Sequence, residues 1–373
     1  MLTFLAWAKG LSGGDRHLLE VAARWREHVD VAVLAPPQAV ATIRSFLDEA
    51  PVYELGSAGP RQGELGPILA LEYIRRAGTA ALRKPPSADV VVAASHFFPD
   101  ATGLAASVRR GAFGVGYVYH LVAGRSDLRP RTLWSKSDER LGLALLRRFA
   151  GVVFVSNRPT AAALAKRGFE PAHTAVGVDL ASFRRAVPGD LPPRAVFLAR
   201  MVRTKGVTDA VEAWAHVCRT VPRAKLLMVG AGPERERAAA LAARLSVSDS
   251  IEWRGFVSEE DKRQILSESR LLLAPSYEEG WGISVCEAMA SAVPVVAYRH
   301  PVLDELFGSA YMGASPGDIH GLAELAVRVL TDDSTAETLS RRGRETAERY
   351  DVVRVADREL DVILGKWRKR SRA

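Results

Sequence analysis

The stretch SYEEGWGISVCEAMASAVPVVA, Ser276–Ala297, decides how this chain is read. It has the composition of a Gly-rich loop, then the opening of an amphipathic helix, then a buried strand. A loop entering a helix offers backbone N–H groups and a positive dipole end to an anion. Two carboxylates ride on it, Glu279 in the loop and Glu287 inside the helix, with seven residues between them. Gly280, Trp281 and Gly282 in succession, leading into Ile283, make a poor plain connector. N–H donors beside carboxylates suit a sugar carried on a diphosphate, because the phosphates need donors and the hydroxyls need acceptors. The two acids are not spaced as a glycosidase pair. A helical path between them covers about 12 Å, against roughly 5 Å for an acid and its nucleophile, or about 6.5–9.5 Å in inverting enzymes.

Outward from that stretch, short apolar runs alternate with helical patterns, which predicts α/β architecture with parallel sheets. Strands are expected at Leu2–Ala8, Val29–Leu34, Asp89–Ala94, Gly114–His120 and Gly151–Val155, with helices such as Asp15–Glu27 and Thr132–Phe149 between them. The segment Val187–Pro193, VPGDLPP, reads as a linker. A second series then begins at Ala195–Ala199 and continues through strands at Ala224–Val229, Ile251–Arg254, Leu271–Ala274 and Val295–Ala297. The last helical region, from Ile319 to about Lys369, is expected to break near Asp332 and Tyr350. At 373 residues the chain is too long for one ordinary core. The expected division is 1–187, 188–350 and a terminal helix with a basic tail, 351–373.

Composition narrows the function. The chain is 48% hydrophobic and 25% charged, as a soluble globular protein is. Its two cysteines, Cys218 and Cys286, lie in apolar helical patterns and read as buried thiols in a reducing compartment. The eight histidines include no pair at ligand spacing, so no metal site is expected. No run is long and apolar enough to span a membrane. The opening MLTFLAWAKG reads as a first buried strand, and a cytoplasmic location is expected. The net charge of +8 is uneven: residues 1–190 hold 24 Lys and Arg against 17 Asp and Glu. A basic first half suits an anionic acceptor or the headgroups of an anionic membrane surface, and serves solubility equally well. No nucleic-acid motif accompanies it.

Other chemistry-bearing residues fall at expected strand ends, where doubly wound sheets bind ligands. Arg200 and Lys205, in LARMVRTKG, are placed to clamp a diphosphate and to neutralise the charge that develops as it departs. Gly13 and Gly14 open the first helix and permit close approach of a phosphate. His120 stands at a strand tip, and His96 in a similar place. Trp281 either stacks on a sugar face or plugs its loop. Gly230, Gly232 and Pro233 mark another strand-to-helix turn, but Arg235 occupies the place of the third glycine of an NAD fingerprint.

Together these residues resemble the retaining glycosyltransferases of family 4. LARMVRTKG, LLMVGAGPE, IEWRGFVSEED, LLLAPSYEEGWG and SVCEAMASAVPVVA follow in the order and spacing of that family, between about residues 190 and 310. The first half is similar more loosely, through its SGG turn, YHL, VFVSN and VGVDLASF. The resemblance implies a GT-B fold: two facing Rossmann-like doubly wound domains, with a C-terminal helix crossing back to the first. It implies a nucleoside-diphosphate sugar as donor substrate, no cofactor and no required metal. Its acceptor would be a glycan, a lipid-linked saccharide or a small molecule. It places Glu279 and His120 by the donor sugar, Glu287 on the nucleotide ribose and Arg200 and Lys205 on the diphosphate. The backbone at Phe256 and Val257 would meet the base, and Gly13 and Gly14 the phosphate. The chain departs from the pattern at Val176, Ser284, Ser291–Ala292 and RHPVLDE, where Pro301 and Glu305 are kept. Those changes bear on which sugar is bound. An epimerase of the same fold or a sugar-nucleotide-binding protein without activity shares most of these features.

Overall fold

The structure, a computed structural model, describes residues 2–3, 13–54, 78, 87–121, 130–184 and 193–372. The chain divides into two compact units, Met1–Gly177 with Val352–Ala373, and Val178–Asp351. The expected division at 187/188 therefore falls earlier in the chain. Apart from Pro193, the expected linker lies outside the described residues or at their margin, as does most of the expected first strand.

The first unit runs β1 (Leu2–Thr3), α1 (Gly13–Trp25), β2 (Val33–Ala35), α2 (Val40–Arg44), β3 (Val52–Glu54), β4 (Val90–Ala93), α3 (Phe98–Val108), β5 (Phe113–Val118), α4 (Pro130–Phe149), β6 (Ala150–Val155), α5 (Arg158–Ala165) and β7 (Ala172–His173). Its sheet has the order β3-β2-β1-β4-β5-β6-β7, and every pairing is parallel. Strands buried on both faces need continuous apolar runs; Phe113–Val118 is buried throughout.

The second unit runs β8 (Arg194–Leu198), α6 (Val207–Thr220), β9 (Lys225–Val229), α7 (Arg235–Arg244), β10 (Ile251–Gly255), α8 (Glu259–Ser267), β11 (Leu271–Ala274), α9 (Ile283–Ala290), β12 (Val295–Tyr298), α10 (Pro301–Phe307), β13 (Met312–Ala314), α11 (Ile319–Thr331) and α12 (Asp333–Ala347). Its order β10-β9-β8-β11-β12-β13 is again wholly parallel. Phe197, Trp214, Met228, Leu273, Tyr298 and Leu322 build its core. The break at Asp332 has a local cause. Its carboxylate caps α12 by accepting from the Thr335 N–H at 3.2 Å, so one helix ends where the next begins.

The last helix, α13 (Val352–Ser371), returns to the first unit and buries Val352, Val355, Ala356, Leu360 and Ile363 with Leu18, Trp25 and Tyr117. A polar knot lies inside that apolar contact. Glu359 accepts from His17 Nε2 at 3.1 Å, from the Tyr117 hydroxyl at 2.7 Å and from the Thr174 hydroxyl. His17 Nδ1 accepts from the Gly177 N–H at 3.1 Å, which leaves the ring proton on Nε2, facing Glu359. Two Rossmann-like α/β units with a helix returning to the first make the GT-B class.

Candidate functional site

In each sheet the strand order reverses at one place, and doubly wound folds bind ligands at the carboxyl ends of strands there. In the second unit this switch point lies between β8 and β11. The loop after β8 carries Lys205, and the loop after β11 carries Glu279. The two loops are tied together by backbone, the Tyr277 N–H donating to the Thr204 carbonyl at 2.8 Å. Gly206 makes that approach possible. It sits at φ +64°, and a Cβ there would lie 2.0 Å from the Pro275 carbonyl oxygen. Gly206→Ala is therefore expected to cost about 1–3 kcal/mol from the left-handed backbone alone and to separate the loops. Urea denaturation and donor affinity measure the two effects, and an unchanged pair of values would remove the reason given for this glycine.

At the junction the Lys205 ammonium donates to Glu279 Oε1 at 2.6 Å and to the Glu278 carbonyl at 2.9 Å. Both side chains are partly exposed, so the pair faces solvent on one side. The loop ends at Gly282, φ +92°, which caps α9, and the residue before it is Trp281. Trp281 is 4% exposed and meets the rings of Phe307 and Tyr350 edge-on. Of the two roles expected for Trp281, the plug is the one the structure has; its ring offers no face for a sugar. Gly280 and Ile283 are half-buried on either side of it.

Glu287 stands inside α9. It is 3% exposed, and its Oε1 accepts from the Lys262 ammonium at 2.6 Å. Lys262 also reaches Glu259 at 2.7 Å and lies over the Phe183 ring. The carboxylate is thus held by a buried cation of α8, a partner with no local signal in the sequence. Arg200 is exposed at the start of the β8 loop. Among the described residues it makes no ion pair, while Lys205 joins Glu279. Phe256, directly after β10, is 80% exposed, and Val257 beside it is half-buried.

One residue at this switch point escaped the sequence reading. His300 follows β12 and caps α10, its Nδ1 accepting from the Val302 N–H at 3.2 Å. Burial holds this imidazole below its ordinary range, against the pull of Glu279, while the charge of Lys205 adds to the lowering. A neutral His300 keeps its proton on Nε2. The signal available was a His before Pro301 at a strand end, a pattern that also serves ordinary helix caps.

In the first unit the switch point lies between β1 and β4. Gly14 there approaches an aromatic ring instead of an open space: a Cβ on it would lie 2.5 Å from Tyr119 Cε2, and the Tyr119 hydroxyl donates to its carbonyl at 3.2 Å. Gly13, before it, is exposed. The expected phosphate contact at Gly14 is thus met by a tyrosine ring on one side. His120 is exposed just beyond β5, its ring perpendicular to that of His96 at 6.4 Å. His96 is buried, stacked on Phe97, with Nε2 3.7 Å from the buried Glu139. Asp100 accepts from the Ser95 hydroxyl at 2.6 Å. Burial, with Asp15 and Asp138 nearby, pushes its carboxyl well above the usual range.

Among the described residues no group of three or more His, Cys, Asp or Glu is arranged to hold a metal ion. Cys218 and Cys286 are both free. Among the described residues no helix is long and apolar enough to cross a membrane.

Residues 182–346, within the second unit, match the family model for glycosyl transferases group 1. Among curated relatives, the chain is 31% identical over 191 residues to a 2-deoxystreptamine glucosyltransferase of Streptomyces kanamyceticus, covering 50% of this chain and 49% of that one. It is 30% identical over 153 residues to the N-acetyl-alpha-D-glucosaminyl L-malate synthase of Bacillus anthracis, covering 40% and 39%. The matches thus span half or less of those relatives. In fold, the chain is similar to Anabaena HepE in complex with UDP and glucose, with a TM-score of 0.76 at 19% identity, covering 97% and 98% of the two chains.

Proposed function

We propose that this protein is a retaining glycosyltransferase that moves a sugar from a nucleoside diphosphate to an acceptor hydroxyl. The observation that carries the reading is the Lys205–Glu279 pair at the switch point of the unit that matches glycosyl transferases group 1. A cation and a carboxylate in contact, both partly open to solvent, match the two ends of a diphosphate–sugar bond. The cation answers the phosphate charge, and the carboxylate answers a sugar hydroxyl.

The acceptor hydroxyl attacks the anomeric carbon from the face the diphosphate leaves. The carbon–oxygen bond to the acceptor forms as the bond to phosphate breaks, and the departing phosphate oxygen takes the acceptor proton. Negative charge grows on the diphosphate in that step. In this reading Lys205 and the N-terminus of α9 stabilise it, and Arg200, exposed at the loop entrance, adds its charge. His300, with its proton on Nε2, is a further neutral donor assigned to this site. The first unit is assigned to the acceptor, with His120 by the donor sugar. A UDP-sugar is the first donor to test, since HepE, similar in fold, was crystallised with UDP and glucose.

Phe256 is assigned to the base. An exposed aromatic ring at a strand end has little folding role and a stacking face to offer. Phe256→Ala is expected to leave the unfolding midpoint unchanged and to weaken nucleoside-diphosphate binding by roughly 2- to 12-fold. Calorimetric titration with UDP, GDP and ADP reads this directly. Equal affinity in the variant for every nucleotide would remove Phe256 from the site.

The test of the whole reading is a panel of UDP-, GDP- and ADP-sugars with purified protein. It measures acceptor-dependent release of the nucleoside diphosphate and the anomeric configuration of the product by NMR. Inverted product would reject retention. Donor binding without release would leave a sugar-nucleotide-binding protein, and interconversion of the donor sugar without transfer an epimerase.

A further inference from the structure

A cavity of about 590 Å³ opens at the outer edge of the second unit, beside β13. None of Lys205, Glu279 and Phe256 lines it. Three arginines do: Arg299 after β12, Arg328 near the end of α11 and Arg342 on α12. No acid is among its lining residues, while Ser309, Ser334 and Thr338 add hydroxyls. Guanidinium groups around a concavity whose lining holds no carboxylate offer donors and positive charge to an anion. Of the three, Arg299 is already answered by a carboxylate. Asp304 takes Arg299 at 3.2 Å and the Tyr311 hydroxyl, and Asp332 is spent on capping α12 through Thr335. Among the described residues Arg328 and Arg342 form no ion pair.

We propose that this cavity binds a phosphate-bearing ligand, at a site separate from the donor site. The guanidinium fork matches phosphate oxygens two at a time, and hydroxyls supply further donors. The volume lies within the range of small-molecule sites. Met312, Leu325 and Leu339 in the wall suit an apolar or neutral body attached to the phosphate. A soluble phosphorylated metabolite and a lipid headgroup share this chemistry.

Titration with inorganic phosphate and with pyrophosphate tests the site, in wild type, Arg328→Gln/Arg342→Gln, and the control Arg219→Gln/Arg223→Gln, whose arginines are exposed outside the cavity. Lys205→Ala removes the donor-site contribution. The expected result is a Kd raised about tenfold or more by the cavity pair, unchanged by the control pair and retained in Lys205→Ala. Flotation with phosphatidylcholine vesicles, with and without phosphatidic acid, separates the two sources. Binding to the acidic vesicles that the cavity pair abolishes assigns a headgroup, and phosphate binding alone assigns a soluble ligand. All four arginines are exposed, so the variants are expected to fold, and unfolding midpoints verify it. The proposal fails if no probe binds, if both pairs weaken binding equally, or if Lys205→Ala alone abolishes it.

Discussion

Lys205→Ala is expected to lower turnover by about 10²–10³-fold, the loss that follows removal of one preorganised stabiliser of developing charge. The ammonium is fixed by Glu279 Oε1 at 2.6 Å and by the Glu278 carbonyl at 2.9 Å, so it needs no reorganisation when the diphosphate departs. The substitution also frees Glu279, which then no longer holds one orientation toward the sugar. Turnover should therefore fall more than donor affinity, because the charge grows in the transition state. Lys205→Arg keeps the charge with a different reach and should recover part of the loss. Initial rates at saturating donor measure this. A well-folded Lys205→Ala protein with undiminished turnover would end the assignment.

The second large effect concerns the return of the last helix. Glu359→Ala should destabilise the protein by about 3 kcal/mol or more, since each buried donor left without an acceptor costs about 1–3 kcal/mol. Three donors would lose their acceptor at once: His17 Nε2, the Tyr117 hydroxyl and the Thr174 hydroxyl. Burial and the neighbouring Glu359 push the Tyr117 hydroxyl well above its ordinary range, so it remains a donor at any working pH. His17 cannot turn to another partner without releasing the Gly177 N–H. Glu359→Gln keeps shape and one acceptor oxygen and should cost less than Glu359→Ala. Urea unfolding of the three proteins gives the ranking; a loss below about 1 kcal/mol for Glu359→Ala would show the network to be dispensable.

Much of the second unit was legible because its signals are local. Apolar runs set β8 to β12, Asp332 stops one helix and starts another, and the glycines mark turns where backbones meet. Gly206 illustrates the limit. Its presence in LARMVRTKG was visible, but its reason, the Pro275 carbonyl 2.0 Å from where a Cβ would stand, belongs to another loop. Short elements such as β7, β13 and α10 were missed, since two to seven residues carry too little periodicity to declare themselves. Among site residues, Lys205 and Glu279 were found together. Trp281 was left between two roles, because a tryptophan after Gly280 looks the same whether its ring faces water or the Phe307 and Tyr350 rings.

The sequence by itself determined the α/β class, the order of the elements and the loops in which cations and carboxylates stand, because these depend on neighbours along the chain. Only the tertiary structure decided which of those charges meet. It paired Lys205 with Glu279, gave Glu287 to Lys262, left Arg200 in solvent and brought His300 to their side. Such partners lie tens of residues apart, and their encounter follows from strand order and the crossing of loops at a switch point, which no local pattern of residues encodes.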